Sequence, residues 1–245
     1  MMHNVIRIAR RAGRVLLSFY KSPAEVRFKR DRSPVTRADT EANQVILKGL
    51  KEIDAGIPVI SEESRLPPPR RRRRWKEFWL VDPLDGTKEF LSRTDEYTVN
   101  IALVRGGVPV LGVIYAPSLG LLYYAEEGKG AWKIRGSGRP RRIYSRKPKR
   151  REALVVLESR FHASPCPRRT GRGRKRRILT VGSSLKFCRL AEGTAHVYPR
   201  NGPTMEWDVA AGDCIFRNAR RRGRNFSPLK YNKPDLKNGP FVLAA

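Results

Sequence analysis

The residues of this 245-residue chain best suited to chemistry are carboxylates that directly follow apolar strands. Asp82 and Asp85 follow Phe78-Trp79-Leu80-Val81, and Glu62 and Glu63 follow Pro58-Val59-Ile60-Ser61. A carboxylate just past a buried strand emerges at the sheet edge, where irregular backbone builds sites on a rigid scaffold. Pro83 fixes φ and favours a turn after Asp82, so Asp-Pro-Leu-Asp-Gly can curl until both carboxylates and one carbonyl face a common centre. Oxygen-only ligands suit a hard cation such as Mg2+ rather than zinc. Thr87 adds a hydroxyl beside the cluster, and Gly86 permits a tight approach. The same spacing also describes a plain turn followed by a helix N-cap. Two further acids favour the metal reading: Asp39 at the head of one helix, and Asp208, in Glu206-Trp207-Asp208, at the head of another. Converging carboxylates repel one another, and a cation would hold them ionised.

The elements that must position these acids follow from periodicity. Val5, Ile8, Ala9, Ala12, Leu16 and Phe19 fall at helical spacing and predict a first helix over 3–20. Its arginines, with no acid before Glu25, also resemble a transit peptide, and the domain helix is the preferred reading. A second amphipathic helix runs from Ala38 to Ile53. Short strands are expected at Ile57–Ile60 and at Phe78–Val81, the latter ending at Asp82. Thr98–Val104 and Val108–Tyr115 flank Gly106-Gly107 as a hairpin, and Leu121–Ala125 and Ala131–Ile134 form another. Strands at Ala153–Leu157, Ile178–Val181, Ala195–Tyr198 and Pro240–Leu243 alternate with helices near Ser184–Glu192 and from Glu206. Such mixing indicates an α+β or layered α/β class. The composition break near 136–152 divides the chain into an N-terminal half, 1–145, carrying most candidate ligands, and a C-terminal half, 146–245, carrying Asp208.

Charge is the anomaly. Lys and Arg number 52 against 23 acids, a net charge of +29. Of the basic residues, 25 sit in four acid-free runs, at 70–74, 139–151, 168–177 and 217–224. The remainder is nearly balanced. The first three runs adjoin Pro or Gly and read as solvated loops. The fourth continues a segment that looks like a buried helix, where charge would be costly unless it pointed outward. Such a surface attracts polyanions, nucleic acid among them, yet only Trp75 and Tyr144 interleave with the runs as stacking aromatics. Three cysteines, Cys166, Cys188 and Cys214, make no disulfide framework and fit a reduced, cytoplasmic protein. No apolar stretch is long enough to span a membrane. Gly128-Lys129 lacks the flanking residues of a P-loop, and no GxSxG elbow is present.

Ile60-Ser61-Glu62-Glu63, WLVDPLDGTKEF at 79–90 and EWDVAAGD at 206–213 resemble the three signatures of the inositol monophosphatase superfamily. These are magnesium-dependent, lithium-sensitive phosphatases. SPVTRAD at 33–39, Lys88-Glu89-Phe90, VGSSLKFCRLAEG at 181–193 and VYPRNGPTMEWD at 197–208 are most similar to its bacterial 3'(2'),5'-bisphosphate nucleotidase branch. The resemblance implies a layered α/β/α/β/α sandwich of the inositol monophosphatase and fructose bisphosphatase type. It implies two or three Mg2+ ions bound by Glu62, Asp82, the Leu84 carbonyl, Asp85 and Asp208, with Asp39 near a more weakly held ion. Thr87 and Glu62 would activate the attacking water, with Asp85 in the catalytic set. A small phosphorylated substrate would be met by Glu62, Leu84, Asp85, Gly86, Thr87 and Asp208, with Ser184 and Lys186 as candidate nucleotide contacts. Lys186 equally fits a solvated helix position, while His162 and His196 read as structural. Adenosine 3',5'-bisphosphate is the expected substrate, with an inositol or other sugar phosphate as the alternative. Many members of the superfamily are homodimers. A rival of another class is a basic nucleic-acid-binding protein on a phosphatase-like scaffold. The segment 214–224 departs from the superfamily, which has a small-residue apolar continuation there.

Overall fold

The computed structural model describes residues 1–20, 34–161, 173–223 and 225–245, together with the strand at 26–28; residues 26–28 and 34–36 are described as backbone. Ser33, His162, Cys166, Arg224 and the first part of the third basic run, 168–172, lie outside the described residues. Helix α1 (Met2–Tyr20) buries Val5, Ile8, Ala9, Ala12 and Leu16, with Phe19 at the margin of the same cluster. Strands β1 (Val26–Phe28) and β2 (Pro34–Thr36) pair antiparallel and lead into α2 (Arg37–Ile53), which buries Ala42, Ile46 and Leu50. Among the described residues no helix is long and apolar enough to cross a membrane.

A seven-stranded sheet follows: β3 (Val59–Ser61), β4 (Glu77–Asp85), β5 (Thr98–Arg105), β6 (Val108–Ala116), β7 (Leu121–Glu126), β8 (Gly130–Arg135) and β9 (Arg141–Ile143), in that order across the sheet. Among the described residues of this sheet, only β3 and β4 pair in parallel. Short helices α3 (Pro69–Arg72) and α4 (Thr87–Leu91) flank β4. A second sheet holds β10 (Leu154–Ser159), β11 (Arg176–Val181), β12 (Val197–Arg200) and β15 (Phe241–Ala244), in the order β11-β10-β12-β15. Helices α5 (Leu185–Ala191) and α6 (Glu206–Asn218) lie between the sheets, and β13 (Thr204–Met205) pairs with β14 (Lys237–Asn238). The result is the expected layered α/β sandwich. One core joins α1 and α2 to the first sheet; a second joins the opposite face of that sheet to α5, α6 and the second sheet. Strand β10 shows the division through its period of two: Val155 and Leu157 enter the second core, while Leu154 and Val156 face away.

The described parts of the basic runs are mostly exposed, as expected of solvated loops, and depart from that expectation at particular positions. Residues 69–72 form α3, and Arg72 is 2% exposed. Its guanidinium donates to the carbonyls of Pro67, Lys233 and Pro234 and to Asn232 Oδ1. Four acceptors replace water, which is how a buried cation is accommodated. The second run supplies β9, and Arg176 and Arg177 of the third lie in β11. The fourth run is consistent with a buried helix because α6 stops at Asn218. Arg217 pairs with Asp213 Oδ2 at 2.9 Å, one turn back, and Arg220, Arg221 and Arg222 are exposed beyond the helix end.

Candidate active site

The site is built around the end of β4. That strand continues past Asp82, beyond the expected stop, because its ladder with β5 shifts register: Asp82 faces Asn100, and Asp85 faces Thr98. Three steps on one strand oppose two on the other, so a β-bulge at Pro83-Leu84 turns both aspartates towards one cavity. The Leu84 N–H donates to Asp82 Oδ1 at 3.1 Å, and the Thr87 hydroxyl to the Leu84 carbonyl at 3.5 Å. Gly86 sits at φ 90°, where a Cβ would come within 3.1 Å of Glu89 Oε2 and Ser183 Cβ. The parallel β3 delivers Glu62, whose N–H bonds the Val81 carbonyl. Asp208 arrives on the first turn of α6, its Oδ2 accepting the Met205 N–H at 2.8 Å.

Glu62, Asp82 and Asp208 each offer a carboxylate oxygen, and these oxygens lie within 4.8 Å of one another. Asp82 is only 2% exposed. Burial, then Glu62, Asp85, Asp208 and Asp39, hold the Asp82 carboxyl well above the usual carboxylate range. Burial, then Asp85 and Glu62, raise Asp208 in the same way. Burial also raises Asp85, against the pull of the Lys186 ammonium and of hydrogen bonds from Asn100 and Ser184. Buried acids that oppose one another's ionisation, offering only oxygen, fit a hard divalent cation. Asp39, in the first turn of α2, acts on Asp82 as the weakest of these acidic neighbours and is not part of the three-oxygen cluster.

The cluster lies in a cavity of about 500 Å3 whose lining includes Leu84, Asp85, Gly86, Thr87, Ser184 and Lys186. Lys186 is 4% exposed, against the solvated alternative. Its Nζ donates to the carbonyls of Ser183, at 2.7 Å, and Val181, at 3.2 Å, and burial pushes its pKa down to about 8. The Ser184 N–H donates to Asp85 Oδ2, and Ser184 Oγ bonds Asn100 Oδ1 at 2.8 Å. Asn100 also donates to Asp85 Oδ2 at 3.3 Å. Thus one buried amide on β5 ties the first half of the site to α5. His196 is structural, accepting the Val155 N–H on Nδ1.

Sequence reasoning missed Asn100, Ser159, Tyr198, Arg200 and Thr204. The last four line the cavity from three strands, and only Tyr198 and Arg200, two apart on β12, share a strand's spacing. Asn100 left one signal: an amide within the apolar run Val99–Val104 needs a buried partner. Glu206 and Asp213 of the third motif serve packing. Glu206 accepts the N–H groups of Asn232 and Lys233 and pairs with Lys233 Nζ at 2.8 Å; Asp213 accepts the Tyr231 hydroxyl and Arg217.

The sequence pattern of the Inositol monophosphatase family matches residues 2–221. The 3'(2'),5'-bisphosphate nucleotidase CysQ of Salmonella typhimurium is 47% identical over 218 residues, covering 88% of this chain and 86% of its own. CysQ of Escherichia coli K12 is 46% identical over 220 residues, with the same two coverages. The crystal structure of CysQ from Bacteroides thetaiotaomicron superposes with a TM-score of 0.83 at 39% identity, covering all of this chain and 96% of that one. Bulge, acidic cluster and a match over nearly its whole length place one conclusion beyond the fold alone: the chain belongs to the inositol monophosphatase family.

Proposed function

We propose that this chain is a magnesium-dependent phosphatase that hydrolyses the 3'-phosphate of adenosine 3',5'-bisphosphate. The observation that carries the reading is the three-carboxylate cluster at the floor of a cavity that also holds Lys186 and Arg200. Acids bind the activating cation while bases meet a multiply charged substrate. The nucleotidase names of relatives at 46–47% identity support the choice of substrate.

In this reading Glu62, Asp82, Asp85, Asp208 and the Leu84 carbonyl hold two or three Mg2+ ions, with Asp39 near the most weakly bound. Bound Mg2+ supplies Lewis-acid polarisation of the phosphate and makes water a better nucleophile at neutral pH. Glu62 and the Thr87 hydroxyl orient and activate the attacking water; its oxygen joins phosphorus as the bond from phosphorus to the 3'-oxygen breaks, and one of its protons ends on the released 3'-hydroxyl. The backbone of Asp85, Gly86 and Thr87 receives the phosphate, while Ser184 and Lys186 meet the nucleotide. Residues 1–145 contribute Glu62, Asp82, Asp85 and Thr87; residues 146–245 contribute Asp208, Ser184 and Lys186. Cys188 and Cys214 are buried thiols with no disulfide between them, which suits a reducing compartment, and we place the enzyme in the cytoplasm, as a homodimer.

Phosphate release from adenosine 3',5'-bisphosphate and from inositol 1-phosphate, each with and without Mg2+ and Li+, tests the reading. It expects higher kcat/KM for the nucleotide, dependence on Mg2+ and inhibition by Li+. A preference for the inositol ester overturns the substrate, and full activity in chelator overturns the chemistry.

A further inference from the structure

The second and fourth basic runs meet around one ring. Arg142, on β9, places its guanidinium carbon 5.6 Å from the Tyr144 ring centre, and Arg221, beyond α6, places its own at 5.2 Å. Arg142 also lies 5.7 Å from the ring of Trp132, its register partner on β8. Trp132 in turn stacks on Tyr124, its partner on β7, with ring planes 12° apart. The row Tyr124, Trp132, Arg142, Tyr144, Arg221 is therefore a continuous ladder of rings and guanidinium planes, with two of its members 77 residues apart in sequence. Hydrogen bonds join the segments too: the Ser145 N–H donates to the Ala219 carbonyl at 2.8 Å, and the side-chain amide of Asn225, just past the fourth run, donates to Ser145 Oγ at 2.7 Å. A Cβ at Gly130 would come within 2.8 Å of the Arg142 guanidinium, so the glycine leaves it room to lie along the strand.

This ladder sits on the free edge of the seven-stranded sheet, since β9 pairs only with β8 among the described strands. Arg141, Arg142, Arg221 and Arg222 are exposed, and Trp132 and Tyr144 are half-buried. Of the acids near these residues in sequence, Glu126 is paired with Lys129 at 2.7 Å, and Glu152 is held by Arg146 through both oxygens at 2.6 Å. Positive charge alone would attract any polyanion. Positive charge alternating with flat π surfaces matches one in particular: a single strand, whose phosphates meet the arginines while its unpaired bases stack on rings and guanidinium planes. We propose that the β8–β9 edge, through Trp132, Arg142, Tyr144 and Arg221, is a docking surface for single-stranded nucleic acid. It is separate from the acidic cavity and does not depend on the phosphatase reading.

The test is fluorescence anisotropy of a labelled twelve-nucleotide oligouridylate over a range of salt, with tryptophan emission read in parallel. Inorganic polyphosphate of equal charge is the control. Wild-type protein is expected to bind the oligonucleotide more tightly than polyphosphate, with quenched emission that Trp132→Phe removes. Arg142→Gln and Arg221→Gln each lower the slope of log affinity against log salt by about 0.7. Tyr144→Leu weakens binding about tenfold with little change of slope. Phosphatase activity stays at the wild-type level in all four variants. Equal affinity for polyphosphate, or quenching that persists in Trp132→Phe, overturns the proposal and leaves a surface that senses charge only. If Tyr144→Leu also loses phosphatase activity, the comparison of wild type with Trp132→Phe decides the matter by itself.

Discussion

At the scale of single residues, the site sets carboxylates against one another, and this has a measurable sign. A carboxyl whose pKa is raised by folding stabilises the fold at low pH and loses that contribution as pH rises through the raised value. Asp82, Asp85 and Asp208 are all raised. In chelator, Asp82→Asn is therefore expected to melt above the wild type at neutral pH. The advantage should shrink as pH falls towards 3.8, the ordinary aspartate value. Differential scanning calorimetry across that range checks it, and saturating Mg2+ should reverse the order. Lys186 makes the opposite kind of prediction. With its pKa near 8 it loses its charge on the alkaline side, so kcat/KM should fall above about pH 8. Lys186→Arg should move that limb upward, because a guanidinium stays charged. Asn100 touches Asp85 and Ser184 without offering a charge, so Asn100→Ala should cost about 10- to 100-fold in Mg2+ affinity or turnover.

At the scale of elements, α6 aims Asp208, and its placement rests on a close approach to β6. A Cβ at Gly112 would lie 2.6 Å from the Ala211 carbonyl and 2.8 Å from Cys214 Cβ. Gly112→Val should cost about 1–3 kcal/mol by overpacking and weaken Mg2+ activation as α6 shifts; thermal melting and a Mg2+ titration read the two effects. Helix α3 offers a contrast within one run. Arg72→Ala leaves three carbonyls and an amide oxygen without their donor and should cost about 1–3 kcal/mol, whereas Arg71→Ala, at an exposed position, should stay within about 0.5 kcal/mol. Five consecutive arginines look alike in sequence, and nothing local marks the one that turns inward. The partners of Arg72 at 232–234 lie 160 residues away. Helix α1 was legible for the converse reason: its pattern is local, and the core accepts the face that the period defines. The β4 bulge fell between these cases. Pro83 announced an irregularity at the right place, but the extension of pairing to Asp85 depends on the ladder with β5.

At the scale of the whole molecule, the chain combines a nearly balanced catalytic body with a strongly basic surface. The acids of the site were readable because each sits where an element begins or ends. Glu62 follows β3, Asp82 and Asp85 flank the bulge at the end of β4, and Asp208 opens a helix. Their convergence was not readable from spacing, since it depends on parallel β3, the β4 bulge and α6 meeting at one point. The same limit hid the joining of the second and fourth basic runs at Tyr144. A surplus of positive charge around the molecule should draw in a multiply charged nucleotide. Thus kcat/KM for the bisphosphate should fall as ionic strength rises, more steeply than for a singly phosphorylated ester.

The most direct test is phosphate release from adenosine 3',5'-bisphosphate as Mg2+ is titrated into chelated protein, for the wild type and for Glu62→Gln, Asp82→Asn and Asp208→Asn. The expected outcome is saturable activation of the wild type and loss of about 100-fold or more in each variant. Wild-type turnover at full rate in chelator, or any of the three variants turning over like the wild type, would contradict it.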